Sequence, residues 1–168
     1  MRKTITLFIC FLSFLLGNNL GYSQSSTGCN AELSVEKNRS MKSTGKNGAF
    51  FTLELKNTSN SSKSYTVTSG KTKQPCKKSN NLISKSTNTK SGLNVFILSP
   101  SDIKSKSEKV TFSVNGGSTQ KFYVKVEVPE GTPYDTWSCF KITAKSDNCS
   151  SNGAETILSA YVTNPSEE

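Results

Sequence analysis

The sequence contains no histidine. This excludes every catalytic scheme that turns on an imidazole and every His-ligated metal site. Acids are scarce, with 12 Asp+Glu against 21 Lys+Arg, for a formal charge of +9. Only 33% of the 168 residues are hydrophobic. Beyond the N-terminus no apolar run exceeds Val95-Phe96-Ile97-Leu98, so no membrane-spanning segment is expected later in the chain. A C-x-x-C pair, a G-x-S-x-G elbow, a phosphate-cradling glycine loop and calcium-loop spacing are all missing. The carboxylates are scattered: Glu54 and Glu127 fall on the outward parity of strands, Asp102 and Asp135 in turns. Solvated surface acids fit that placement better than a paired catalytic site. The sequence therefore predicts no cofactor, no metal and no enzyme.

What is present begins with a targeting segment. Arg2 and Lys3 precede an almost wholly apolar stretch over 5–16, too short to cross a bilayer and right for a signal-peptide core. Gly21 and Ser23 supply small residues two apart, which predicts cleavage after Ser23 and a signal peptide over 1–23. Cys10 sits inside the apolar run, which argues against a lipoprotein site. Residues 24–168 then form a single exported domain whose charge falls to +7 with the loss of Arg2 and Lys3. Its four cysteines, Cys29, Cys76, Cys139 and Cys149, predict two disulfides in an oxidising compartment, with three connectivities open.

The hydrophobic pattern has period two. Ala49, Phe51, Leu53 and Leu55 alternate with Phe50, Thr52, Glu54 and Lys56, and Phe122, Val124 and Val126 with Lys121, Tyr123 and Lys125. These are half-buried strands. Shorter alternations occur at Ala31-Leu33-Val35, Tyr65-Val67, Val110-Phe112-Val114 and Phe140-Ile142-Ala144, with further strands over 93–98 and 156–162. The inward register of the last is ambiguous. Turn signals at 57–62, 115–117, 129–133 and 146–153 separate them, and no helical stripe is sustained. Seven or eight short antiparallel strands read as a β-sandwich. One segment departs from the pattern: 70–92 carries Lys71, Lys73, Lys77, Lys78, Lys85 and Lys90 and no acid. An excursion of this length is either functional or mobile.

Asn115-Gly116-Gly117 leads into the strand over 121–128, which ends in Val128-Pro129-Glu130-Gly131-Thr132. Tyr134-Asp135-Thr136-Trp137 and a strand through Ala144 follow. This pattern resembles bacterial immunoglobulin-like modules of the fibronectin type III-like kind, found in exported proteins. The earlier Phe51-Thr52-Leu53-Glu54-Leu55-Lys56-Asn57-Thr58 looks like their second strand. The resemblance implies an all-β, immunoglobulin-like antiparallel β-sandwich and says little of function. Under that sandwich order, Cys29 and Cys149 come to one end, and Cys76 and Cys139 to the other. The implied pairs are Cys29–Cys149 and Cys76–Cys139, the second tying the excursion to the sheet.

Binding readings remain. Trp137, Tyr123 and Phe50 fall on outward parity and Tyr134 in a corner, where aromatics anchor a protein partner, stack on sugars, or simply cover the sheet. The lysines suit an acidic polysaccharide or a solvated face; nucleic acid is not expected without a reading motif. Four Asn-x-Ser/Thr sequons, at Asn38, Asn57, Asn60 and Asn148, read as chance products of Asn/Ser/Thr richness. The expectation is a non-catalytic accessory subunit of a periplasmic or cell-surface assembly, with Lys71, Lys73, Lys77, Lys78, Lys85, Lys90, Tyr123 and Trp137 as candidate contacts. A free-standing carbohydrate-binding or adhesion module is the alternative.

Overall fold

The computed structural model describes residues 26–72, 92–150 and 152–164. The expected signal peptide lies outside them, as do Cys76, Lys73, Lys77, Lys78, Lys85 and Lys90.

Two sheets pack face to face. The first holds β1 (Ser26–Gly28), β2 (Ala31–Val35), β4 (Ala49–Asn57), β9 (Thr119–Glu127), β6 (Asn94–Ser99) and β7 (Asp102–Ser107), in that spatial order. The second holds β3 (Met41–Thr44), β11 (Ala154–Val162), β10 (Thr136–Ser146), β5 (Lys63–Lys71) and β8 (Lys109–Val114). A 3₁₀ turn, Glu36–Asn38, carries the chain from β2 in the first sheet towards β3 in the second. The architecture is an immunoglobulin-like β-sandwich.

Alternation in the sequence becomes the core directly. Phe51, Leu53 and Leu55 of β4 and Phe122, Val124 and Val126 of β9 are fully buried, in a register that pairs Phe51 with Val124 and Leu53 with Phe122. Tyr65, Val67, Phe140, Ile142 and Leu158 face them from the second sheet. The Phe112 and Phe122 rings meet between β8 and β9 with centroids 5.3 Å apart, joining the two layers. Burying each such side chain contributes about 1.5–3 kcal/mol, which is how a chain modest in apolar residues still closes a core. The ambiguous last strand resolves with Ala154, Thr156, Leu158, Ala160 and Val162 inward, and half-buried Ile157 and Tyr161 outward.

Two expectations need correction. The described residues form eleven strands rather than seven or eight, because β1, β3 and β7 are too short or too polar to show alternation. The sandwich is also not wholly antiparallel: β3 pairs with β11 in parallel, Met41 opposite Ser159 and Ser43 opposite Tyr161.

A disulfide joins Cys29 to Cys149 with their Cα atoms 5.4 Å apart. It links the β1–β2 turn of the first sheet to the β10–β11 turn of the second. Cys29 and Asn30 both have positive φ (58° and 57°), as a tight hairpin turn between right-twisted strands requires. At the same end lies a buried polar corner that the sequence did not reveal. Asn57 donates to Ser61 O (2.8 Å) and Val114 O (2.9 Å), while its Oδ1 accepts from Ser59 N (3.0 Å) and Ser59 Oγ (2.7 Å). The Tyr65 hydroxyl is shared between Asn57 Oδ1 (2.9 Å) and Asn30 O (2.8 Å). The sequon at Asn57 is thus a buried structural device.

Candidate functional site

The outer face of the first sheet is internally paired. Lys121 Nζ donates to Glu36 Oε1 at 2.7 Å and lies 3.3 Å from Glu54 Oε1. Lys125 and Lys106 converge on Glu127 Oε1 at 2.6 and 2.7 Å. The same two ammonium groups lie over the Phe50 and Phe96 rings at 5.5 and 5.6 Å. The hydrogen bond from Lys121, more than its charge, holds Glu36 below the usual carboxylate range. Hydrogen bonds from Lys106 and Lys125 do the same for Glu127, and the bond to Glu36 chiefly raises Lys121. Exposed, solvent-screened pairs of this kind add little stability, but they tie these charges to one another rather than leaving them for a partner. Tyr123 sits on this face, half-buried, opposite Thr52.

Trp137 is on the other side of the molecule. On the outer face of the second sheet it pairs with Tyr161, their rings 5.0 Å apart and inclined by 36°. The Tyr161 hydroxyl donates to Asp135 Oδ1 at 2.8 Å, and Asp135 is itself held at φ 57° by its N–H bond to Val162 O (2.8 Å). Met41, 38% exposed, continues this face onto β3, and Tyr134, 46% exposed, stands in the loop that delivers Asp135. Next to the ring pair, buried Cys139 lies 3.2 Å from Ser159 Oγ. Cys139 is disulfide-bonded, and Cys76, its expected partner, lies outside the described residues. Lys71 is exposed at the end of β5, opposite Phe140, and the next residue, Thr72, donates its N–H to Cys139 O at 3.3 Å.

The candidate contacts therefore divide. Lys71 and Trp137 belong to the same end of the second sheet, and Tyr123 to the opposite face of the sandwich. No single sugar platform is built from Tyr123 and Trp137 together. The aromatic corner instead contains Trp137, Tyr161, Asp135, Tyr134 and Met41. Tyr161 and Met41 escaped the sequence reading because the last strand had two possible registers and β3 no alternation. A second missed feature was legible: residues 37–46 carry Lys37, Arg39, Lys42 and Lys46 with no acid among them. Lys42 turns inward, its ammonium bonding Phe50 O and lying 5.4 Å from the Phe51 ring centroid.

No protein-family profile and no curated protein matches the chain. Solved structures do. A family 123 glycoside hydrolase from Clostridium perfringens superposes with a TM-score of 0.50 at 8% identity, over 80% of this chain and 27% of that one. The chain thus spans about a quarter of that enzyme, and at such identity the likeness shows the fold alone. A C. elegans member of the MSP family matches with a TM-score of 0.39 and 11% identity, over 78% of this chain and 97% of its own length. The E. coli chaperone DraB matches with 0.38 and 14%, over 82% and 56%. Among the described residues, no helix is long and apolar enough to cross a membrane.

Proposed function

We propose that the chain is an exported, non-catalytic binding subunit that docks onto a protein partner in a bacterial envelope or surface assembly. The observation that carries this reading is the aromatic corner of the second sheet. Trp137 and Tyr161 are stacked, fixed in place by Asp135, and bordered by exposed Met41 and Tyr134. Rigid aromatics lose little conformational entropy on contact and are the side chains that most often anchor protein interfaces. The self-paired outer face of the first sheet fits the solvated side of such a subunit. Export is supported by the N-terminal pattern and by the disulfide chemistry.

Co-purification from native envelopes tests the reading. A stoichiometric partner retained by the wild type and lost on Trp137→Ala is the expected result. A lone monomer that instead binds glycans through Trp137 would favour the adhesion-module alternative. A lone monomer binding neither would remove both.

A further inference from the structure

A sandwich exposes four strand edges, and here they are unequal. In the first sheet, β7 is blunted. Asp102 Oδ1 accepts from the backbone N–H groups of Lys104 and Ser105, both at 3.1 Å, and the register with β6 breaks between Ile97 and Ser99. At the other edge β1 offers three residues among those described. In the second sheet, β8 has its first outward residue, Lys109, bridged at both N–H and C=O by the Ser107 hydroxyl (3.2 and 2.6 Å). Thr111 and Ser113 remain beyond it, with Glu108 and Lys109 of opposite sign alongside.

The β3 edge differs. Ser159 N donates to Ser40 O (2.8 Å) and Thr163 N to Thr44 O (3.1 Å), which fixes the parity of the parallel ladder. Even-numbered residues of β3 bond to β11, so the N–H and C=O of Met41 and Ser43 point away from the sheet. Their side chains lie on the outer face, in register with Ser159 and Tyr161. The edge is bracketed by exposed Lys37, Arg39 and Lys46. None of these cations forms a salt bridge among the described residues, and the nearby Glu36 is already taken by Lys121.

We infer that β3 receives an extended, acidic segment of the partner protein as an added strand. The inference rests on the binding-subunit reading above. Backbone groups of Met41 and Ser43 supply the ladder bonds, Lys37, Arg39 and Lys46 select for acidic side chains, and alternate apolar side chains lie beside Met41 towards Tyr161 and Trp137. A second copy of this chain is a poor occupant, since both edges would bring the same uncompensated cations.

The single tryptophan of the sequence makes Trp137 a built-in reporter. Full-length protein is titrated with a blocked peptide of alternating glutamate and valine, and with its lysine–valine counterpart. The expected result is a saturable change in Trp137 fluorescence with the acidic peptide only, amide shifts centred on Met41 and Ser43, and weakening by added salt. Met41→Pro, which removes an outward N–H and no ladder donor to β11, abolishes binding. Arg39→Glu with Lys46→Glu, which touches no ladder bond, weakens it about tenfold or more. Equal binding of both peptides, indifference to both variants, shifts centred on Thr111 and Ser113, or self-association abolished by Met41→Pro would each overturn the inference. Should the peptide fail while an envelope partner still depends on Trp137, the edge falls and the subunit reading stands. Peptide binding without any retained partner gives the reverse.

Discussion

Asn57 shows how much one side chain can hold. It closes the β4–β5 turn onto β8 and accepts from Tyr65, all inside the protein. Asn57→Ala leaves the Val114 carbonyl and the Ser59 N–H without these partners. A loss of about 2–4 kcal/mol in urea unfolding is expected, as for a broken buried network. Tyr65→Phe removes a single shared hydroxyl and costs less, about 1–2 kcal/mol. Nothing in the residues around Asn57 announced this role, because Asn-Thr-Ser-Asn reads simply as turn chemistry. By contrast, the parity of Phe50, Tyr123 and Trp137 was legible residue by residue. Which of the two faces each would join was not, since period two gives inside and outside but not which sheet.

At the scale of the element, strands with one dry face were readable and edge strands were not. β4 and β9 carry four and three alternating core residues, and their registers follow from burying them. β3 and β7 have a single large apolar residue each, Met41 and Ile103, and both are exposed. β3 depends on β11, far away in sequence, and β7 is held as a hairpin on the adjacent β6 with no apolar face of its own, so neither shows an alternating pattern. The outer face of the first sheet makes its own prediction. Glu36 and Glu127 have folded pKa values below their ordinary 4.5, so their pairs stabilise the protein above that pH. That stability is lost as pH falls through the lowered folded values. Lys121 is raised, so its contribution persists through neutral pH and disappears only on rising above its ordinary 10.5. Unfolding midpoints are therefore expected to stay flat across neutral pH and drop below about 4.5, with a shallower drop in Glu127→Gln. An unchanged acid slope in that variant would show that the Glu127 pairs contribute nothing to stability.

At the scale of the whole molecule, one covalent link sets how the sheets are held. Cys29 and Cys149 are 120 residues apart, so on the chain-entropy model their bond contributes about 4–5 kcal/mol. Replacing both with serine should lower the urea midpoint and steepen the slope, because the unfolded chain freed of a 120-residue loop exposes more surface. Charge is distributed unevenly over the same frame. On the first sheet Lys106, Lys121 and Lys125 pair with its own glutamates, whereas Lys37, Arg39 and Lys46, which flank β3, form no salt bridge among the described residues. We propose that this asymmetry gives the molecule a docking side and a solvated side. Hydrogen–deuterium exchange on the protein alone and in its envelope-purified complex tests it most directly. New protection is expected over 41–44 and at the aromatic corner around Trp137 and Tyr161, with 50–54 and 121–127 unchanged. Protection centred on 50–54 and 121–127, with 41–44 unaltered, would contradict it.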